Sequence, residues 1–189
     1  MNCTRCNVKS CRTGVSCHNE KFDTEAVLEE FHDPHNQKIV QAAAQLVDNG
    51  RAGSLSRLDE IIEFIGLMHY QRVGLAYCYG MEREAALVRD ILKKSGVPLQ
   101  TISCTVGAVL QDAVNEKSCI HKVSCNPLGQ AHQLNAENVD FVIIMGICLG
   151  HDILLQKNLK ADFTTLIVKD RVYNHNPLES ITNNPRSQE

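Results

Sequence analysis

The chain has 189 residues, which is long enough to bury a hydrophobic core and suggests one domain. Hydrophobic residues make up 43% and charged residues 22%, as in ordinary soluble globular proteins. The net charge is -3 and no basic block occurs, so nucleic acid is a poor candidate for a partner. No apolar run has the length of a membrane span or a signal peptide, and we therefore expect a cytoplasmic protein without membrane association.

The nine cysteines limit the chemistry further. In a protein that is not exported, cysteines stay reduced, and their usual roles are metal binding and catalysis. An odd number also excludes a fully paired disulfide framework within one chain.

The first cysteine cluster lies in residues 1–21, which we call the head. Its four cysteines follow the spacing C-x2-C-x4-C-x5-C: Cys3, Cys6, Cys11 and Cys17. The head has almost no apolar side chains to hold it by packing. Because thiolate–metal bonds can fix such a segment, the spacing predicts a metal-binding head. The alternative is a disordered head whose cysteines have no role.

Residues 22–70 are predicted to be helical. Asp23 is suited to cap a first short helix, and Asp33 followed by Pro34 is typical of the start of a second helix. Ser56 begins a capping-box spacing that indicates a third helix. Each of these segments carries apolar residues at helical spacing.

Residues 71–178 alternate between short apolar runs and amphipathic helical segments. The runs predict four strands: 72–78, 99–104, 141–148 and 163–168. This alternation is typical of a parallel sheet with right-handed crossovers. We therefore predict a three-layer α/β domain over residues 22–178, with a mainly parallel sheet of four or five strands. Residues 179–189 form a polar tail.

Four further cysteines occupy corresponding positions in this alternation. Cys78, Cys104 and Cys148 end predicted strands, and Cys125 immediately precedes a predicted helix cap. In open parallel sheets this edge binds ligands, and the helix N-termini there favour thiolates. The sequence predicts a second four-cysteine site, suited to an iron–sulfur cluster such as [4Fe–4S] or to Zn²⁺. Taken singly, each of these cysteines is better explained as a core residue.

Charged and polar residues follow the last two predicted strands. His151, Lys169 and Asp170 are the candidate catalytic residues, with His151 as proton donor or acceptor. Lys169 and Arg171 are candidates to hold an anionic group. A solvated loop is the alternative interpretation of the segment around Lys169.

Several segments together resemble an uncharacterised prokaryotic family, domain of unknown function 1847, whose members are described as predicted metal-binding proteins. The segments are CTRCNVKSC, GLAYCYGM, CNPLGQA, GICLGHD and TTLIVKDRVYNHNP. The resemblance covers nearly the whole chain and implies metal ligands at both cysteine sets. A proline is expected after the fourth head cysteine, where this chain has His18. The resemblance implies no substrate.

The predicted function is that of a cytosolic, cysteine-ligated metalloprotein, with iron–sulfur favoured and redox or sulfur chemistry on a small molecule. Its expected partners are a small-molecule substrate or a redox partner, and a homodimer is plausible because the head has to pack on something. One alternative is a non-catalytic zinc-binding or metal-sensing module. Another is a metal-free enzyme that uses Cys78 or Cys148 as nucleophile and His151 as base.

Overall fold

The structure is a computed structural model that describes residues 2–187. Met1 of the head and residues 188–189 of the predicted tail lie outside it. The strands are β1 Val73–Tyr77, β2 Leu99–Ser103, β3 Phe141–Met145 and β4 Asp162–Ile167. The α-helices of the described residues are α1 Thr24–Phe31, α2 Pro34–Val47, α3 Arg57–Met68, α4 Glu82–Lys94, α5 Gln111–Val114, α6 Pro127–Ala136, α7 His151–Asn158 and α8 Pro177–Thr182. None of them has the length and hydropathy needed to cross a bilayer.

The starts of the first three helices are fixed by the predicted caps. Asp23, Asp33 and Ser56 each accept hydrogen bonds from backbone N–H groups in the first turn that follows. Such caps satisfy N–H groups that have no partner within the helix. Pro34 occupies the first turn of α2, where its missing N–H is not needed.

The four strands form one parallel sheet in the order β2-β1-β3-β4. The chain leaves β1 toward one edge of the sheet and later returns to form β3 on the other side of β1. The strand order therefore reverses between β1 and β3. In open α/β sheets, this switch point opens a crevice at the carboxyl ends of the strands.

Helices cover both faces of the sheet, so the predicted three-layer α/β architecture is confirmed with four strands. One core cluster joins α3 and α4 to the sheet and contains Ile61 and Leu92. The other joins α6 and α7 to the opposite face and contains Leu134 and Leu155. Each core is apolar and buries residues of β1 and β3. Burial on both faces explains why β3 is uniformly hydrophobic.

β3 ends earlier than predicted. It stops at Met145, because Gly146 takes a φ of +62°, although the Gly146 N–H still donates to the carbonyl of Ile167 in β4. A Cβ at Gly146 would lie 2.0 Å from the sulfur of Met81, so only glycine fits there. The expectation that Cys148 ends the strand is therefore wrong. Cys148 lies in the loop between β3 and α7.

The segment between β2 and α6 leaves the sheet and returns to it. It contains a 3₁₀ turn, Val106–Ala108, and the short helix α5. Leu110 forms an isolated antiparallel bridge with Val123, and Ser124 N–H donates to the carbonyl of Val109 over 2.8 Å. This return brings the chain back to the end of β2 immediately before α6 begins.

Candidate functional site

The backbone fixes two of the cysteines at the carboxyl edge of the sheet. Cys78 N–H donates to the Met145 carbonyl over 3.2 Å, and Cys104 N–H donates to the Tyr77 carbonyl over 2.9 Å. These bonds extend the pairing of β1 with β3 and of β2 with β1 by one residue. Asn126 N–H donates to the Cys104 carbonyl over 2.6 Å. The start of α6 is thereby tied to the same place.

We call Cys78, Cys104, Cys125 and Cys148 the strand-end cysteines. Their sulfur atoms lie near one another. Cys125 Sγ is 3.5 Å from Cys104 Sγ. The thiol of Cys125 interacts electrostatically with Cys78 and Cys148, and that of Cys104 interacts with Cys78. Cys78 and Cys104 are buried, and Cys125 and Cys148 are half-buried. The fold thus brings together all four cysteines that the sequence places near this edge.

Two cations contact the other two sulfur atoms. Lys169 Nζ lies 3.4 Å from Cys78 Sγ, and Arg171 Nη2 lies 3.0 Å from Cys148 Sγ. Hydrogen bonding to Cys148 also raises the pKa of Arg171. A cation at these distances stabilises negative charge on sulfur. The loop after β4 therefore supplies positive charge to the cysteines that follow β1 and β3.

Burial determines the protonation of Cys104 and Cys125. Burial raises the pKa of Cys104 to about 12, and burial also raises the pKa of Cys125. Both are therefore protonated at neutral pH without a metal, and the thiol of Cys125 donates to Cys104 Sγ. Tyr79 N–H also donates to Cys104 Sγ, over 3.3 Å.

The model of the family "Protein of unknown function (DUF1847)" matches residues 15–166. The chain is also 41% identical over 185 residues to an uncharacterised protein of Methanocaldococcus jannaschii. The aligned residues cover 96% of this chain and 93% of that protein. This chain belongs to the DUF1847 family. No solved structure matches it. The matched region holds all four strand-end cysteines but begins after Cys3, Cys6 and Cys11 of the head.

Asp170, a predicted catalytic residue of this DUF1847 protein, makes hydrogen bonds within its own loop. Its Oδ1 accepts from the backbone N–H groups of Val172 and Tyr173, each over 3.0 Å. Its own N–H donates to Nδ1 of His175 over 3.1 Å. These contacts shape the loop that carries Lys169 and Arg171, so the structure gives Asp170 a positioning role.

His151 begins α7, three residues after Cys148. Its Nδ1 is buried and, within residues 2–187, has no hydrogen-bond partner. Among the hydrogen bonds of the described residues, none joins His151 to Cys78 or Cys148. Its role in proton transfer therefore stays a prediction.

Gln130 is a site residue that the sequence did not reveal. Its side chain is fully buried, and its Nε2 donates to the carbonyls of Tyr77 and Ile102 over 3.2 and 2.8 Å. It therefore holds together the ends of β1 and β2, from which Cys78 and Cys104 follow. The available signal was a polar residue beside Ala131 in the first turns of an otherwise apolar helix face.

The head of this DUF1847 protein is arranged differently. Cys3, Cys11 and Cys17 are exposed and Cys6 is half-buried. Lys9 N–H donates to Cys6 Sγ over 3.3 Å, and the hydrogen bonds of the head join residues close in sequence. Among the hydrogen bonds of the described residues, none joins two head sulfurs, and metal binding in the head stays a prediction. Cys119 is exposed.

The strand-end cysteines carry the sulfur donors that zinc and iron prefer. As they stand, no three His, Cys, Asp or Glu side chains among residues 2–187 form a ready-made metal shell. However, the 3.5 Å between the sulfurs of Cys104 and Cys125 is close to the separation of about 3.8 Å for two sulfurs on one tetrahedral metal with bonds of about 2.3 Å. Four thiolates around a divalent cation carry a net charge of about -2, which Lys169 and Arg171 can offset.

Proposed function

We propose that this DUF1847 protein is a cytoplasmic metalloprotein whose metal centre is held by Cys78, Cys104, Cys125 and Cys148. The observation that carries the proposal is the grouping of four cysteines from separate parts of the chain, with a 3.5 Å sulfur pair and a cation on each of the other two sulfurs. Core packing alone requires neither the sulfur contact nor the cations.

The charges around the site support the same proposal. Four thiolates cannot share one pocket unless cations offset their repulsion. Lys169 and Arg171 supply two positive charges from a single loop, which Asp170 shapes. In this role, the two cations stabilise the negative charge that thiolates retain around a bound metal.

We favour an iron–sulfur centre. Cys78 and Cys104 are already packed in a hydrophobic cluster of the fold, so a purely structural metal is not needed to hold them. Their location beside the switch point of the sheet suits redox chemistry on a ligand. The close sulfur pair favours two thiolates on one iron, as in a [2Fe–2S] cluster, over the [4Fe–4S] type.

The reaction class that we propose is redox or sulfur chemistry on a small molecule or with a redox partner. When bound, an iron–sulfur centre supplies single electrons. The surrounding residues bind and orient the substrate, with Lys169 and Arg171 facing an anionic group. His151, at the start of α7, is the candidate proton donor or acceptor.

Anaerobic purification followed by iron, zinc and acid-labile sulfide analysis tests the proposal. We expect iron and sulfide in near-integral amounts per chain, with the visible absorption of a cluster. Cys104→Ser should lose this centre, whereas the matched control Cys119→Ser should keep it, because Cys119 is exposed and apart from the site. A colourless protein that carries neither iron nor sulfide would rule out the cluster.

A zinc-binding module without catalysis is the second candidate. It is favoured by the sulfur pair, since the 3.5 Å separation also matches two ligands of one zinc ion. In this case the same purification yields zinc in integral amounts without iron, and Cys104→Ser removes the zinc. A metal-free cysteine nucleophile is less well supported, because its proposed base makes no hydrogen bond to sulfur within residues 2–187.

A further inference from the structure

A cavity of about 450 Å³ lies at the opposite end of the sheet from the cysteines. It is bounded by α2, α3 and the edge strand β4. Tyr70, Phe141 and Asp162, which stand at the amino ends of β1, β3 and β4, line it. Its volume is in the range of small-molecule sites, about 300–1,000 Å³. The cavity is therefore separate from the proposed metal centre.

Aromatic rings form the floor of this cavity. Tyr70 stacks on Phe141 with ring centroids 4.8 Å apart and an interplanar angle of 16°, and Phe64 lies 6.1 Å from Phe141. Ile39 and Leu46 of α2 add an aliphatic wall. Because Phe64 and Tyr70 are only half-buried, the cavity leaves apolar ring surface available for a ligand.

Asp162, one of the charged side chains that line the cavity, is already paired within the fold. Asp162 accepts a hydrogen bond from the Tyr70 hydroxyl, and its Oδ2 lies 2.9 Å from Nε2 of His35. These partners satisfy the carboxylate at that end. Asp162 therefore does not call for a charged ligand group, and the apolar lining of the cavity suits an apolar group.

The cavity also carries one side chain of each charge from α3. Arg57 and Glu60 occupy the first turn of α3 and line the cavity together. Arg57 Nη2 donates to the Thr164 hydroxyl, which fixes the guanidinium beside β4. Its Nη1 is 3.5 Å from Glu60 Oε2, at the outer limit of a hydrogen bond. The contacts engage two of the five donors of the guanidinium, and the ion pair is loose enough for a ligand to compete with it.

We propose that this cavity binds a free α-amino acid with an apolar or aromatic side chain. The ligand carboxylate pairs with Arg57, its ammonium group pairs with Glu60, and its side chain lies on the rings of Phe64 and Tyr70. A zwitterion matches two opposite charges on one helical turn, and an apolar side chain matches the interior. The proposal is independent of any metal at the cysteine site.

Isothermal titration calorimetry with L-phenylalanine and L-leucine tests this proposal. The comparison ligands are 3-phenylpropionate, which lacks the ammonium group, and phenethylamine, which lacks the carboxylate. We expect saturable binding of the amino acids and affinity about tenfold or more lower for each single-charge ligand, because each loses one charge-assisted hydrogen bond.

Variants locate the binding. Arg57→Gln and Glu60→Gln should each weaken L-phenylalanine binding about tenfold. Ala43 of α2 also lines the cavity, and Ala43→Phe should abolish binding by filling it. Arg89→Gln is the matched control, since Arg89 pairs with Asp90 on the surface of α4, away from the cavity. Circular dichroism checks that each variant is folded.

Several results would overturn the proposal. One is the absence of saturable amino-acid binding to the wild-type protein. Another is equal affinity for the single-charge ligands, which would indicate a simple apolar pocket. Unchanged binding in both single variants, Ala43→Phe and Arg57→Gln, each shown to be folded, would place the ligand elsewhere. A dimer whose second copy covers β4 and the cavity, detected by sedimentation and blocked by Ala43→Phe, would also contradict it.

Discussion

The two sets of four cysteines in this DUF1847 protein are positioned by different means. The head cysteines lie within fifteen consecutive positions, Cys3 to Cys17, and are mostly exposed. The strand-end cysteines extend from Cys78 to Cys148, and core packing and sheet pairing hold Cys78 and Cys104 among them. Spacing in the sequence makes the first set conspicuous, whereas the second set is predicted only from the ends of strands and the start of a helix.

This difference determines what a metal would do at each set. At the strand ends, hydrogen bonds of the backbone and Gln130 place Cys78 and Cys104 before any metal binds. A metal there joins groups that are already positioned, and its binding energy is not spent on folding. In the head, a metal would itself have to order the segment, as in small zinc domains.

The largest expected effect is the complete loss of metal from one set of cysteines while the other set keeps its metal. When Cys3, Cys6, Cys11 and Cys17 are all changed to serine, the protein should keep its fold and its entire strand-end centre, because that centre has no ligand in the head. Cys104→Ser should have the reverse effect. Metal and sulfide content per chain, measured after anaerobic purification, distinguishes the two proteins. If the head variant loses the strand-end metal, the two sets form one site.

The second prediction concerns pH. With a raised pKa at Cys125 and a pKa of about 12 at Cys104, both thiols are protonated between pH 6 and 8 and must release their protons to a metal. The apparent metal affinity of the strand-end site should therefore rise by at least about a hundredfold per pH unit in this range, a factor of about ten for each of these two protons. Chelator competition in the protein with four serines in the head measures this slope. A flat profile would contradict the protonation states.

Much of the fold could be predicted from local sequence signals. The caps at Asp23, Asp33 and Ser56 and the alternation of apolar runs with helices depend on neighbouring residues, and they gave the right elements. Strand order could not be obtained in this way, since pairing depends on contacts between distant segments. The predicted end of β3 was wrong because Gly146 packs against Met81, a contact that no local pattern indicates.

The candidate site was predictable to a similar extent. Cys78 and Cys104 follow β1 and β2 directly, as the apolar runs indicated. The pairing of Lys169 with Cys78 joins residues 91 positions apart, and local spacing cannot specify it. Gln130 was missed for the same reason, because its role depends on carbonyl groups of two strands. Sequence thus identified the candidate ligands and the two cations, but neither the contacts of the cations with sulfur nor the role of Gln130.

The third prediction tests the cations, which contact the strand-end cysteines. Lys169→Met and Arg171→Met should each lower the metal affinity of that site about tenfold, since each removes a positive charge next to a sulfur. Lys157→Met, on the exposed last turn of α7, removes the same charge elsewhere and should have little effect. The head should bind its metal equally in all three proteins. Equal affinity in Lys157→Met and Lys169→Met would show that the contact is incidental.

The smallest effect concerns the stability of the metal-free protein. Here a cysteine-to-serine change in the head is compared with the same change at the strand ends. Cys11→Ser should change the free energy of unfolding by less than about 0.5 kcal/mol, because Cys11 is exposed and packs against no core. Cys104→Ser should cost about 1–3 kcal/mol, since it places a hydroxyl in a site that is 2% exposed. Urea unfolding under reducing conditions with a chelator measures both. Equal costs would mean that the head is packed on the domain and that metal is not needed to order it.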